Sequence, residues 1–445
     1  MVLLGSIGVT NSATSINESQ VTVESKGRVK ALSRNLLPPT RQARPLALST
    51  ALHTMGTGLV VTLSSIYFTR IVGLSVSQVG AGLAVAALIG LTAGIPLGRL
   101  SDRLGSRGLL IALLACQAAA VLLYTQAESY SAFVVAASLL AFAIQGDSAV
   151  RMTLIAHLIP ANERIVTRAY LRSVTNLGFA VGTALASIAL ASDRQATYET
   201  LLVVGSGCFL CGAVAVMRVP PVPPVADAHK VSRWAALADR SYVTVVLINS
   251  LLQLHYAILE VGIPLWVSEY TDAPRGLVAV LFLLNTLVIL VLQVPVGRRF
   301  GPLRHAGRCV SLAGVLLASA CLLLGLSGPV TGWLTIGILL VAGTAHALGE
   351  ILHATGSWAA SFELAPEDAQ GQYQGLFATG IGVSQVLGPF LVTVLILPHG
   401  AIGWFISAAF LLGAGFLMAA AIRRGAIRMT TATAPASVGL AADRH

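Results

Sequence analysis

The chain consists of long apolar runs separated by short polar breaks. A bilayer core of about 30 Å requires roughly 20 apolar residues in a helix, so each run of that length predicts a membrane span. None of the runs alternates over about ten residues as the strands of a membrane β-barrel do. We therefore predict an all-α integral membrane protein with twelve spans, at residues 46–69, 75–98, 108–127, 131–157, 169–191, 199–218, 241–267, 275–296, 308–327, 333–356, 373–396 and 401–421.

Composition supports a membrane protein and argues against a nucleic-acid partner. Of 445 residues, 56% are hydrophobic and 10% are charged, whereas a soluble domain carries about 25% charge. The formal net charge is +10, but the basic residues lie between apolar runs and not on a soluble face with aromatic side chains. The five cysteines all fall within apolar runs, which argues against an extracellular disulfide framework.

The distribution of basic residues predicts the orientation. If the N-terminus is cytoplasmic, the outer loops hold only Arg70, Arg194 and Arg275, and nearly every other lysine and arginine faces inward. The positive-inside rule then places both termini in the cytoplasm, with the protein in the cell inner membrane. We expect a disordered cytoplasmic tail at 1–44 and a second cytoplasmic tail at 423–445.

Two pairs of segments indicate an internal repeat. "GIPLGR" at 94–99 is echoed by "QVPVGR" at 293–298, and "NLGFAVGTAL" at 176–185 is echoed by "SQVLGPFLV" at 384–392. Both separations match the step from the first span to the seventh, as inverted or parallel transporter repeats would produce. The chain is thus expected to form two pseudo-symmetric six-helix halves, 45–218 and 241–422, joined by a proline-rich cytoplasmic linker at 219–240.

The loop after the second predicted span carries a family resemblance. It resembles the G-x-L-x-D-R-x-G-R/K-R/K signature of the major facilitator superfamily, through Gly98, Leu100, Asp102, Arg103, Gly105 and Arg107. "PLW" at 264–266, "TDAP" at 271–274 and "FELAP" at 362–366 are similar to bacterial drug-efflux-like members. The resemblance implies the major facilitator fold, alternating access and a conformational-switch role for the loop. The exporter motif of the fifth span is only partly matched, at Gly178 and Gly182, which leaves the direction of transport open.

Small residues in and near this loop predict close helix packing. Gly90, Gly94 and Gly98 are spaced four apart on one helical face, which lets a second helix approach closely. We expect the same role for Gly178, Gly182, Gly388 and Pro389. Asp102 is the acid among the loop's arginines, and it suits a helix N-terminus or a basic partner. The alternative is a plain anchoring loop without a special role.

Ionisable residues inside apolar spans cost about 2.5 to 3.5 kcal/mol each, so they usually line a cavity or pair. Asp147 and Arg151 share a helical face and can pair, or Arg151 can extend toward the interface. His346 and His353 lie on the same face as Glu350, which makes Glu350 the leading candidate for proton coupling. The further proton-coupling candidates are Asp147, Glu260, His346 and His353. The substrate-cavity candidates are His53, Arg151, Asn176, Asn249, Gln253, His255, Asn285 and Gln385.

A zinc site at His346, Glu350 and His353 is the alternative reading of that helical face. No cysteine or further ligand cluster accompanies it, so we expect no metal and no cofactor. The residue types are those of proton relays in transporters.

These patterns predict a secondary active transporter and not an enzyme. No Walker-type phosphate loop occurs in the sequence. The expected partners are the lipid bilayer, a small-molecule substrate and protons, with the chain acting as a monomer. We favour proton-coupled export of a small, fairly apolar organic compound. The alternatives are proton-linked or facilitated uptake of a metabolite, and a membrane enzyme or sensor that transports nothing.

Overall fold

Twelve long helices make up most of the protein in a computed structural model that describes residues 40–225 and 231–433. No strand occurs within those ranges, and the predicted all-α class is confirmed. The helices are α1 (Ala43–Ile71), α2 (Val76–Leu91 and Gly94–Leu104), α3 (Ser106–Tyr124), α4 (Tyr130–Leu158), α5 (Ala161–Ser192), α6 (Gln195–Val216), α7 (Arg240–Tyr270), α8 (Leu277–Phe300), α9 (Leu303–Ser327), α10 (Trp333–Glu363), α11 (Gln370–Leu391) and α12 (Gly400–Thr433).

The apolar lengths of these helices agree with twelve membrane spans. Ten continuous helical stretches of the described residues are long and apolar enough to cross a bilayer, and the last of them, Glu367–Arg428, contains α11 and most of α12. These two helices separate at Gly400, whose φ of 57° is a left-handed conformation that favours glycine. The two parts of α2 pass the same test together and are bent by 42°.

The predicted tails only partly overlap the described residues. The tail expected at 1–44 lies outside them up to residue 39, and α1 begins at Ala43. At the other end, α12 continues to Thr433, so the tail expected at 423–445 begins as helix, and its remainder lies outside the described residues. An even number of spans brings both chain ends to one side of the bundle, here named the termini side.

Local sequence signals explain several helix ends. Ser75 and Gln78 form a reciprocal capping box at the start of α2, and the Asp239 carboxylate accepts the backbone N–H groups of Ser241 and Tyr242 at the start of α7. Gly105 alone separates α2 from α3, and its φ of 90° is a conformation that side chains with a Cβ rarely adopt. The segment 98–107, here called the switch loop after its predicted role, is therefore a tight corner between two helices.

The helices pack as two groups that meet along a few pairs. In the first half α1 packs on α5 and α6, and in the second half α9 packs on α10 and α12. The largest contact between the halves joins α2 to α11, and others join α4 to α11 and α5 to α8. These pairs form the interface between the two halves.

Two π-helical turns interrupt the second half. One occupies Ile258–Gly262 within α7, and the other occupies Val392–Ile396 directly after α11. The two turns contact each other. Each adds one residue to a helical turn, a feature that occurs frequently at functional sites.

Candidate functional site

A cavity of about 270 Å³ lies between the two halves. The first half contributes α4 and α5 to its wall, and the second half contributes α7, α10 and α11. Its polar and aromatic lining comprises Ser148, Arg168, Arg172, Gln253, Tyr256, Glu260, Ser357, Trp358, Ser384 and Gln385. Two guanidinium groups, one carboxylate and two aromatic rings therefore share a small space at membrane depth.

An ion pair at this cavity joins the two halves. Nη2 of Arg172 on α5 donates to Oε1 of Glu350 on α10 at 2.7 Å. The other carboxylate oxygen, Oε2, accepts a hydrogen bond of 3.1 Å from Asn285 on α8. The Arg172 guanidinium also lies 4.9 Å from the centre of the Tyr256 ring. Glu350 is only 2% exposed. The cation that balances its buried charge, Arg172, belongs to the opposite half.

Arg168, one helical turn before Arg172, has no such partner. Its guanidinium lies 5.3 Å from the centre of the Trp358 ring, a cation–π contact. Within residues 40–225 and 231–433 it forms no ion pair, and its Nε has no hydrogen-bond acceptor. The cavity thus holds one cationic group whose Nε–H is unpaired among the described residues.

Three buried imidazoles lie beside the ion pair in the second half. Nε2 of His346 is 3.0 Å from the carbonyl oxygen of His255 and 3.4 Å from Nδ1 of the same residue. Nε2 of His255 is 3.1 Å from Nδ1 of His353, whose Nε2 is 3.1 Å from Oδ1 of Asn249. The four side chains form one continuous chain of hydrogen bonds between α7 and α10.

A second buried polar network lies inside the first half. Arg151 donates to both carboxylate oxygens of Asp147 at 2.8 and 3.0 Å, and to Thr50 at 3.2 Å. His53 lies 4.0 Å from Asp147 and shares a hydrogen bond of 3.0 Å with Gln117. Asp147 and Arg151 are nearly inaccessible to solvent. Both lie on α4, and the network connects them to α1 and α3.

The switch-loop aspartate reaches across to the other half. Oδ1 of Asp102 accepts the backbone N–H of Gly371 at 2.8 Å, and Oδ2 accepts that of Gln372 at 3.1 Å. Both donors belong to the first turn of α11, where unpaired N–H groups and the helix dipole favour an anion. The linker joins the same contact, since Val225 N–H donates to the Asp102 carbonyl at 2.9 Å.

Glycines let α2 and α11 touch backbone to backbone beside this carboxylate. Added Cβ atoms on Gly94 and Gly98 would meet the carbonyl groups of Gly375 and Gly371, respectively. On the same side of the molecule, Gly297 of α8 and Gly301, directly after that helix, pack against Ile165 near the start of α5. Both contacts close the interface between the halves on the termini side of the cavity.

The other predicted packing glycines lie within single halves. Gly90 packs on Ala141 of α4, and Gly388 packs on Ala257 of α7. Gly178 and Gly182 meet the backbone of α1 at Ala51 and Met55.

The structure divides the predicted site residues into three groups. Glu260, Gln253 and Gln385 line the cavity, as does Pro389. Asn176 is not among the lining residues. The predicted residues found in the polar networks and not in the cavity wall are His53, Asp147, Arg151, Asn249, His255, Asn285, His346, Glu350 and His353.

Sequence reasoning missed the cavity's two arginines. The predicted fifth span, 169–191, leaves Arg168 just outside and Arg172 near its start, and neither was given a role; α5 begins at Ala161 and carries them about two and three turns inward. Their spacing of four residues on one face was the available signal. Tyr256 and Trp358, which stack on them, were missed as well.

The donor types do not form a metal centre. Within the described ranges, no group of three or more histidine, cysteine, aspartate or glutamate side chains is placed to hold one metal ion.

Comparisons with known proteins agree with this architecture. The chain is 21% identical over 360 residues to the uncharacterized MFS-type transporter YdeE of Escherichia coli K12, covering 80% of this chain and 90% of that protein. Among solved structures, the human organic anion transporter MFSD10 (TETRAN) superposes with a TM-score of 0.67 at 18% identity, covering 86% of this chain and all of that one. A bacterial homologue of the iron transporter ferroportin, in an outward-facing state, gives a TM-score of 0.69 at 12% identity, with 87% and 100% coverage.

A family model matches most of the chain. The model of the Major Facilitator Superfamily aligns with residues 46–389, from α1 to the end region of α11. This range includes the switch loop, the cavity residues and the first pair of repeated segments, and it ends within the last segment of the second pair. The match, the twelve helices and the transporter neighbours together establish that this chain belongs to the Major Facilitator Superfamily of membrane transporters.

Proposed function

We propose that the chain is a proton-coupled secondary transporter of a small organic anion, which binds in the cavity between the halves and moves by alternating access. The observation that carries this proposal is Arg168, a cation in the cavity wall without an acidic partner among the described residues. An ionisable group at this depth costs several kcal/mol unless it is satisfied. A carboxylate on the substrate supplies the missing partner, because a guanidinium binds a carboxylate through two parallel hydrogen bonds.

The lining of the cavity limits the substrate further. Its volume of about 270 Å³ lies near the lower end of the usual range for ligand pockets, about 300 to 1,000 Å³. The rings of Trp358 and Tyr256 and the side chain of Ile381 provide apolar contact area beside the arginines. A one-ring carboxylate fits this combination better than the fairly apolar compound expected from sequence. The neighbour MFSD10 is described as an organic anion transporter, which is the same substrate chemistry.

The Arg172–Glu350 pair supports coupling of the anion to a proton. A substrate carboxylate competes with Glu350 for Arg172, and a proton bound beside Glu350 weakens that competition because it offers the Glu350 carboxylate another cationic partner. The anion and the proton therefore favour each other's binding, so they travel together. An inwardly directed proton gradient then drives uptake, so we propose uptake, the alternative direction considered from the sequence, ahead of export.

Export is the second candidate direction. It is favoured by the resemblance of "PLW", "TDAP" and "FELAP" to drug-efflux-like sequences. An exporter would load the same cavity from the termini side, after α2 and α11 had separated. Proton-coupled export also requires that the anion and the proton exclude each other, which the shared ion pair does not favour.

Transport in proteoliposomes tests the proposal with three matched probes. Benzoate should be carried, whereas its uncharged amide analogue benzamide and the cation benzylammonium should not. Arg168→Gln should lose most benzoate transport, and the exposed loop variant Arg194→Gln should keep it. Imposed proton gradients of either sense decide the direction, since cotransport accumulates benzoate on the alkaline side. Equal transport of benzamide, or full benzoate transport by Arg168→Gln, would overturn the anion assignment.

A further inference from the structure

The three buried imidazoles beside the cavity form a hydrogen-bond chain with a defined direction. One end is anchored by a backbone group, because Nε2 of His346 lies 3.0 Å from the carbonyl oxygen of His255. A carbonyl oxygen only accepts, so Nε2 of His346 carries a proton and donates it. The direction of this first bond does not depend on how any side-chain amide is oriented.

The anchor determines the tautomer of each following ring. Since Nε2 of His346 is a donor, the Nδ1 of His255 at 3.4 Å is an acceptor, and Nε2 of His255 then carries the proton. That Nε2 donates to Nδ1 of His353 at 3.1 Å, and Nε2 of His353 donates to Oδ1 of Asn249 at 3.1 Å. In the neutral chain all three rings are therefore Nε2–H tautomers.

This chain leaves one basic nitrogen unused. Nδ1 of His346 has a lone pair, is buried, and has no hydrogen-bond partner within the described residues. The nitrogens of His255 and His353 are all occupied. An incoming proton thus finds its open acceptor at His346, and the other rings can share the charge.

The charged groups around the three imidazoles determine where an added proton is stabilised. Glu350 lies one turn further along α10, and Arg172 of α5 is the cation of the opposite half that interacts with Glu350 and acts electrostatically on His255 and His353. On α7, Tyr256 stacks on His255, and Glu260 lies in the cavity wall. The nearby side chains of α8 and α11 are polar but uncharged, with Asn285 bonded to Glu350 and Gln385 in the cavity wall, while α9, which packs on α10, carries the buried thiol of Cys321.

We propose that the transported proton binds at Nδ1 of His346 and is shared along His255 and His353, with Glu350 as its counter-charge. This inference rests on the proposed proton-coupled transport and names the site of coupling. In the transfer, a proton from water forms the Nδ1–H bond of His346, and the Nε2–H of His346 passes to Nδ1 of His255. The Nε2–H of His255 then passes to Nδ1 of His353, and Asn249 ends the path because its amide oxygen only accepts.

The protonated cluster weakens the bridge between the halves. A cationic His346 competes with Arg172 for the Glu350 carboxylate, and Arg172 belongs to the first half while His346 belongs to the second. The Glu350 carboxylate thereby exchanges a contact with the first half for a contact within the second half. Glu350 acts as a positioning residue whose partner depends on the proton, and the imidazoles hold the proton itself.

Nitrogen NMR of the whole protein tests the tautomers without any transport assay. With ¹⁵N-labelled histidine, assigned by single His→Gln variants, the three rings should be Nε2–H tautomers at alkaline pH. On acidification, the Nδ1 of His346 should be the first nitrogen of the three to gain a proton. An Nδ1–H tautomer at His255, or first protonation elsewhere in the cluster, would overturn the proposal.

Charge movement after a pH jump tests the same site functionally, with the proton as the only probe. On a supported membrane without any organic anion, the protein should give a transient current, and His346→Gln should lose it. The matched variant His399→Gln, at an exposed ring on the far side of the bundle, should keep the current. A full current in folded His346→Gln would overturn the inference, whereas a normal current without benzoate transport would instead contradict the proposed function.

Discussion

At the scale of single residues, Asp102 connects two segments that are far apart in sequence. Its carboxylate accepts two backbone N–H groups of α11 and is 3% exposed. Charge-assisted hydrogen bonds of this kind contribute about 1.5 to 3 kcal/mol where they are protected from water. Because the donors belong to the opposite half, that energy stabilises the state in which the termini side is closed.

Asp102→Asn should shift the conformational equilibrium toward opening on the termini side. The substitution keeps the shape of the side chain but removes its charge and places an N–H₂ group near one of the two donors. A loss of about 1.4 kcal/mol changes the ratio of two states about tenfold. Spin labels at exposed positions 162 on α5 and 304 on α9 should report longer distances. Asp272→Asn is the matched control, because Asp272 accepts the Gly332 N–H within one half. Unchanged distances in Asp102→Asn would support the plain anchoring role.

The pair of Asp147 and Arg151 should contribute to folding more than to transport. Arg151→Met leaves a buried carboxylate without its cation, a change that typically costs about 3 to 5 kcal/mol. His53, 4.0 Å from Asp147, can take up a proton and reduce that cost. The double variant Asp147→Leu with Arg151→Met should recover much of the stability, as measured by thermal unfolding in detergent. A double variant less stable than either single variant would contradict this account.

Sequence patterns predicted residue types better than residue partners. Asp147 and Arg151 were expected to pair because a spacing of four on one helix fixes their proximity. No such rule relates Arg172 to Glu350, which come from different halves. The same limit applies to the imidazole chain, since His255 was assigned to the cavity while His346 and His353 were assigned to proton coupling. Their contact depends on how α7 packs against α10, which helical periodicity does not specify.

At the scale of helices, the contact between α2 and α11 depends on the absence of side chains. Gly98 and Gly371 face each other, and so do Gly94 and Gly375. Close approach of this kind is how membrane helices associate when lipid removes the hydrophobic driving force. The two helix backbones are thus in direct contact. No interdigitated side chains have to separate at these glycines when the termini side opens.

Gly98→Ala should destabilise the closed contact between these helices. Its added Cβ would overlap the Gly371 carbonyl oxygen, and overpacking at a rigid contact costs about 1 to 3 kcal/mol. We expect increased labelling of a cysteine placed at the termini-side end of α11 by a thiol reagent. Gly413→Ala is the matched control, because nothing lies within 4 Å of the Cβ it would add. That variant should be neutral or more stable by up to about 1 kcal/mol, and equal labelling of both variants would count against the glycine contact.

At the scale of the whole molecule, the orientation in the membrane remains a prediction from the distribution of arginine and lysine. Single cysteines at positions 35, 230 and 430 should be protected from an impermeant thiol reagent in intact cells. Cysteines at positions 128 and 272 should react. Labelling uses a cysteine-free background, with permeabilised cells as the control for reactivity. Strong reaction at position 230 in intact cells would reverse the assignment of sides.

The whole fold was more predictable than the site, for a physical reason. Each span must satisfy its backbone hydrogen bonds internally, so apolar length alone identifies the helices. The repeat of "GIPLGR" as "QVPVGR" then predicted two similar halves. The predicted fifth span, 169–191, begins eight residues after the start of α5, and the positive-inside rule counts charges without fixing their depth, so neither Arg168 nor Arg172 was assigned to the cavity.

The π-helical turn in α7 affects how this helix tolerates insertions and deletions. An α-helix advances about 100° per residue, so the extra residue in Ile258–Gly262 rotates everything that follows by about that angle. Beyond the turn, Trp266 donates from Nε1 to Ser327 at 3.0 Å. Removing one residue from the turn would leave an unbroken helix whose backbone is fully bonded, yet Trp266 would face away from Ser327. The π-helical turn thus sets the rotation of the second part of α7 relative to the first. The first part directs His255 toward the imidazole chain, and the second directs Trp266 toward α9.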